Sequence, residues 1–203
     1  MTNMYHKEGG LYRPEFERDN CGFGLIAQMD GKASHWLINT AISALARLTH
    51  RGAVAADGKT GDGCGILMAM PDSFMRLAAR ESGLTLADDF ATGLVFLNAT
   101  TSENAKAVLN SELEAEGLSV AGWRVIPTDE SALGEQAKAS VPLIEQVFVN
   151  SPDGESQNSF ERKLFLARRR AEKKIWETDS DFYIPSLSCK VICLLYTSDA
   201  ADE

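Results

Sequence analysis

The sequence predicts a mixed fold in which helices and strands share one core. Three observations carry this. Short apolar runs of strand length alternate with helix-period stretches through residues 65–176. A chain of 203 residues, 44% hydrophobic and 24% charged, can bury the core of one domain. No internal repeat or low-complexity tract is present, which removes solenoid and fibrous classes.

Residues 1–20 carry His6, Lys7, Glu8, Glu15, Glu17, Arg18 and Asp19 with little apolar pattern, and read as a leader. Residues 21–29 predict a buried strand on Phe23, Leu25, Ile26 and Met29. Asp30-Gly31-Lys32 signals a turn, and Ser34 is placed to cap a helix. In that helix Leu37, Ala41, Leu45 and Leu48 recur at helical spacing beside Ile38 and Ile42, a stripe expected to pack in the core. Gly52 ends it. Residues 53–64 form a Gly- and Asp-rich loop, and Gly65 to Met70 a strand. Pro71-Asp72-Ser73 opens a helix of about ten residues, since the fixed φ of proline suits a first turn.

Further on, residues 92–98 predict a strand, and Ser102 caps a helix through Glu116 that Gly117 closes. Trp123 to Ile126 is a strand before Pro127, and residues 128–141 are polar and poorly periodic. Leu143 to Val149 is a strand, followed by a loop from Asn150 to Asn158. Ser159 caps a long helix to Trp176, with Glu161 a first-turn acid favoured by the helix dipole. Phe182 to Ile192 is an extended, pair-forming segment.

Composition excludes several functions. A net charge of −9 disfavours nucleic acid and anionic membrane surfaces. Residues 1–20 are too charged for a secretory signal, and no run reaches the roughly 18 apolar residues of a membrane helix. Four cysteines, at 21, 64, 189 and 193, show no CxxC spacing, so reduced thiols in a cytoplasmic protein are expected.

The most informative residue is Cys21. A polar leader stops at Asn20 and gives way at once to Cys21-Gly22-Phe23-Gly24-Leu25-Ile26. Cleavage before Cys21 would give one residue both a thiol and a free α-amine. The thiolate is a good nucleophile, and an amine titrating at about 7.7–8.0 is a usable base near neutrality. The alternative is a buried strand cysteine acting as a small hydrophobe.

Three segments then point to a family. Asp19-Asn20-Cys21-Gly22-Phe23-Gly24, Leu45-Ala46-Arg47-Leu48-Thr49-His50-Arg51-Gly52-Ala53 and Thr60-Gly61-Asp62-Gly63-Cys64-Gly65-Ile66 stand in this order. Together they resemble the start of the glutamate synthase large-chain family, a class II glutamine amidotransferase domain, over residues 16–192. The resemblance implies an α+β fold, the αββα N-terminal nucleophile (Ntn) hydrolase sandwich. It implies that residues 1–20 are a propeptide and that Cys21 is the catalytic nucleophile. It places Arg51 beside the nucleophile, shaping the glutamine pocket. By its chemistry alone Arg51 is either a carboxylate-gripping fork or a helix C-terminal cation. His50 is expected to be structural or capping, because the family uses the α-amine as base. Asp62 is either a ligand or a turn residue, with the structural role expected, and Cys64 is expected to be an inert packed thiol. The Gly-rich loop around Asp62 lacks the spacing and lysine of a nucleotide-phosphate loop.

The implied reaction is hydrolysis of L-glutamine through a cysteinyl thioester, releasing glutamate and ammonia for transfer to 2-oxoglutarate. The implied partners are the remainder of a glutamate synthase large chain and a small reductase subunit. FMN and an iron–sulfur cluster are implied for the complete parent enzyme, with no cofactor in this stretch. Other class II amidotransferases, forming glucosamine phosphate, phosphoribosylamine or asparagine, are the alternatives. A further one is a non-catalytic Ntn-fold interaction domain.

The chain also departs from the family. No Asn-Gly dipeptide occurs, although the family's oxyanion hole uses one. Residues 21–192 are therefore expected to be the N-terminal part of the domain, incomplete and inactive alone, since one lost oxyanion donor costs about 10²–10³ in rate. Residues 193–203 resemble a translated transposase-adapter end rather than the family, and are expected to be a non-native tail. The basic run Arg168-Arg169-Arg170 with Lys173 and Lys174 is interrupted by Glu172, and reads as a solvated helix face or a contact within a longer chain.

Overall fold

A computed structural model describes residues 22–48, 56–61, 63–176, 178–179 and 181–196, without the side chains of 132, 195 and 196. The chain divides into two compact units, residues 1–52 and 53–203.

In the first unit, Gly31 closes a turn at φ +69°, its N–H donating to the Gln28 carbonyl at 3.1 Å. Helix α1 spans His35–Ala46. Ser34 is extended and its Oγ accepts from the Leu37 N–H at 3.2 Å, the cap expected from the sequence. The stripe Leu37, Ile38, Ala41, Leu45 and Leu48 is half-buried, and no residue of α1 is fully buried. The helix closes at Arg47, ahead of Gly52. Residues 22–28, expected as a buried strand, form no strand, and Phe23, Leu25 and Met29 are exposed. No described strand pairs with this segment. Apolar spacing does not make a strand unless a neighbouring strand takes up its backbone donors and acceptors.

The second unit runs β1 (Cys64–Ala69), α2 (Asp72–Glu81), β2 (Phe90–Leu97), α3 (Ser102–Ala115), β3 (Ser119–Val125), a 3₁₀ turn (Glu130–Ala132), α4 (Glu135–Ser140), β4 (Leu143–Asn150), α5 (Gln157–Ile175), β5 (Tyr183–Ser188) and β6 (Val191–Tyr196). Four strands form an antiparallel sheet in the order β3-β4-β2-β5, and β1 pairs antiparallel with β6 in a second sheet. Every residue of β2 is buried, which explains its nearly continuous apolar run. Ala91, Val95 and Leu97 of β2 pack with α3 and α5, which bring Leu109, Leu113, Phe160 and Leu164 at helical spacing. On a second, smaller core, Phe90 and Phe148 meet Met75 and Ala79 of α2 and Ile192 of β6.

Several boundaries differ from expectation for local reasons. β3 already begins at Ser119; Gly122, at φ +149°, sits where the β3–β4 register shifts, and this bulge hides the alternation of the strand's first half. A Cβ on Gly122 would lie 2.5 Å from Leu84 Cδ2. The polar stretch 128–141 holds the 3₁₀ turn and α4. The cap of α5 is Ser156, whose Oγ accepts from the Ser159 N–H at 3.3 Å.

The extended segment after Phe182 is two strands in different sheets, joined at Cys189–Lys190. Glu161 of α5 holds this corner. Its Oε1 accepts from Ser188 Oγ at 2.8 Å and from the Cys189 N–H at 2.6 Å. Ser188 Oγ in turn accepts from the N–H groups of Lys190 at 2.9 Å and Val191 at 3.2 Å.

Candidate active site

Cys21, His50, Arg51 and Asp62 lie outside the described residues. The structure does describe segments next to them in sequence: Gly22 onward, and the loop 56–61 that leads through Gly63 into β1.

The loop is built around Asp57. One carboxylate oxygen, Oδ1, accepts from the Lys59 N–H at 2.9 Å and the Thr60 N–H at 2.8 Å; Oδ2 accepts from Thr60 Oγ1 at 2.6 Å. These bonds, first the Thr60 side chain, then the Thr60 and Lys59 backbone, push the Asp57 carboxyl down to about 2. Thr60 is buried although the loop on either side is not. Gly134, ahead of α4, comes close enough that a Cβ there would lie 2.2 Å from both Asp57 Oδ2 and Thr60 Oγ1.

A second polar group sits on the sheet. Gln146 of β4 is 1% exposed. Its Oε1 accepts from Arg124 Nε at 2.7 Å, and its Nε2 donates to Thr92 Oγ1 at 2.8 Å. Thr92 Oγ1 in turn donates to the Val147 carbonyl at 2.9 Å. On the opposite face of the sheet, Lys106 of α3 pairs with Glu103 at 2.6 Å and with buried Glu145 at 3.2 Å. Burial opposes the Lys106 charge, but the two carboxylates outweigh it and hold the ammonium above its ordinary range.

The described thiols are poor nucleophiles. Partial desolvation of the sulfur pushes Cys64 up even though the residue as a whole is exposed, and burial pushes Cys193 up. Cys189 is pushed up to about 12 by burial and by the Glu161 carboxylate. All three are therefore protonated near neutrality. Cys64 is exposed rather than packed, which corrects one half of its expected description.

The basic run on α5 is largely neutralised. Arg168 and Arg169 both pair with Glu172, Arg170 reaches Glu116, and Lys174 reaches Glu112. Such a surface has little net field for a polyanion. Among the described residues, no three His, Cys, Asp or Glu side chains converge as metal ligands would. No described helix is long and apolar enough to cross a membrane.

A family model for class-II glutamine amidotransferases matches residues 21–198, and its first matched residue is Cys21. The chain belongs to the class-II glutamine amidotransferases. Its antiparallel α+β architecture accords with the Ntn fold of that family. This amidotransferase chain is 39% identical over 193 residues to the glutamate synthase [NADPH] large chain of Bacillus subtilis, covering 94% of the chain and 13% of that protein. It is 41% identical over 186 residues to the corresponding large chain of Azospirillum brasilense, covering 89% of the chain and 12% of that protein. It is 36% identical over 198 residues to a ferredoxin-dependent glutamate synthase of Pyropia yezoensis, covering 95% and 13%. The amidotransferase chain thus spans about an eighth of the length of these relatives.

Sequence reading missed Asp57 and Gly134 in this class-II chain. Asp57-Gly58 is a recognisable turn signal, so the loop's Asx geometry was available. Gly134 carries no local signal, because its φ of −74° suits any residue and only the approach of the loop requires glycine.

Proposed function

We propose that this chain is the glutaminase portion of a glutamate synthase, with Cys21 as nucleophile. The single observation that carries this reading is the family match that begins at Cys21. It is supported by relatives that are 36–41% identical over most of this chain and are glutamate synthase large chains or ferredoxin-dependent glutamate synthases.

After removal of residues 1–20, the Cys21 α-amine takes the thiol proton and Sγ attacks the carboxamide carbon of L-glutamine. The tetrahedral oxyanion collapses, the C–N bond breaks, and the amine returns the proton to the departing ammonia. A water, deprotonated by the same amine, attacks the thioester. The C–S bond breaks, glutamate leaves and the thiol is restored. Arg51 is assigned to the substrate, its planar fork matched to a carboxylate. Ammonia is assigned to 2-oxoglutarate elsewhere in a longer glutamate synthase, with the remainder of that large chain and a small reductase subunit as partners. FMN and an iron–sulfur cluster, implied for such a parent, enter none of these steps, and no described cluster of side chains fits an iron–sulfur centre.

The test is Cys21→Ser in a full-length glutamate synthase carrying this sequence. Glutamine-dependent glutamate formation is expected to fall by at least about 10³-fold, while formation from added ammonia persists. Near wild-type glutamine hydrolysis by the variant would remove Cys21 from the mechanism. N-terminal sequencing of the active enzyme should begin at Cys21, and an intact leader in an active enzyme would remove the α-amine from its role.

A further inference from the structure

Helix α4 has only six residues, far below the roughly 12–15 at which an isolated helix becomes marginal in water. Its N-cap is Gly134, which supplies no side-chain acceptor for the first-turn N–H groups. Its N-terminus is instead packed against Asp57 and Thr60, in a loop far earlier in the chain, where a Cβ on Gly134 would lie 2.2 Å from both Asp57 Oδ2 and Thr60 Oγ1. The Asp57 carboxylate there holds the Lys59 N–H at 2.9 Å, the Thr60 N–H at 2.8 Å and the Thr60 hydroxyl at 2.6 Å. Contact is tight enough that a Cβ at Gly134 would also meet the Thr60 nitrogen at 2.7 Å. Thr60 and Ala137 are the buried points of the two segments.

We propose that Asp57, Thr60 and Gly134 form a latch that makes the 56–61 loop and α4 one cooperative unit, formed together and opened together. Closed, the latch satisfies three loop donors through one carboxylate and seats that loop against the N-terminus of α4. Open, it leaves the six-residue α4 without the loop packed on its first residue and the loop without its buried threonine, so neither segment has reason to keep its conformation. The latch goes beyond the glutaminase reading and does not depend on it.

Native-state hydrogen exchange on the whole chain tests this. In the wild type, the Thr60 amide and the Lys138 amide, which donates to the Gly134 carbonyl at 3.0 Å, should show equal protection that falls in parallel with urea. Unequal protection with different urea dependence would overturn the latch. In Gly134→Ala, both amides should lose about tenfold or more in protection while β2 and β4 amides keep theirs. If that variant loses β2 and β4 protection as well, Thr60→Val decides, since it removes only the hydroxyl contact. Lys138 must then exchange faster with Thr60→Val, and unchanged exchange at Lys138 would overturn the proposal.

Discussion

Asp57 and Gln146 are the two side chains whose chemistry is most tightly determined by their neighbours. The Asp57 carboxyl is held at about 2, below its ordinary 3.8, by bonds that only the anion accepts. A carboxyl lowered on folding stabilises the fold above its unfolded range and loses that contribution as pH falls through the folded value. The Thr60 amide resonance should therefore titrate with a midpoint near 2 in an NMR series from about pH 5 to about pH 1. A midpoint near the ordinary value would contradict the hydrogen-bond geometry. For Gln146, replacement by leucine leaves Arg124 without its acceptor and Thr92 without its donor. Urea denaturation should show a loss of about 1–3 kcal/mol. None of this was visible in the sequence at Gln146, where a polar residue sits in an apolar strand with nothing to announce its partners on β2 and β3.

At the scale of elements, close approaches decide more than propensity does. Gly93 lies in the middle of β2, where a Cβ would come 2.5 Å from the Ser186 carbonyl and 2.8 Å from Leu187 Cδ1. The carbonyl belongs to the paired backbone of β5 and cannot swing aside. Gly93→Ala should cost about 1–3 kcal/mol by calorimetry, mostly through the β2–β5 pairing. At the sheet corner, Glu161→Ala should destabilise by a similar amount, about 1–3 kcal/mol, because it strips the acceptor from Ser188 Oγ and the Cys189 N–H. Glu161→Gln keeps an acceptor oxygen there and should lose less. Equal losses in the two variants would mean the corner is not held by that oxygen. Sequence cues worked where the signal is local: Ser34 caps α1 as expected, and a ten-residue α2 opens at Pro71-Asp72, with Pro71 at the N-cap rather than in the first turn. They failed at α5, where Ser156 and Ser159 both offer a capping hydroxyl and only the extended backbone of Ser156 selects it. They failed at α4, whose N-cap Gly134 is packed against Asp57 and Thr60 of a distant loop rather than capped from its own neighbourhood.

For the whole molecule, the motifs were legible and the strand order was not. Three short segments sufficed for the family, because each packs several unusual residues into a few positions. The order β3-β4-β2-β5 depends on pairings between distant segments, which period and propensity do not encode. That arrangement also sets a gradient of stability. β2 is flanked by strands on both edges and buried throughout, whereas β1 and β6 form a two-stranded ribbon with Leu67 two-thirds exposed. Two-stranded ribbons are marginal alone. Amides of β1 and β6 should exchange well before those of β2 and β4, and the reverse order would contradict this reading of the core.

The pairing of β1 with β6 has a consequence for the chain's birth. Ala69 pairs with Val191, so more than one hundred residues separate the partners. A ribosome adding about 5–20 residues per second needs roughly 6–25 s to deliver the second strand after the first. During that interval the nascent β1 presents Ile66, Leu67 and Met68 with its partner strand not yet made. This is the interval in which a holding chaperone would find the chain most receptive, and in which slowed translation would be most damaging.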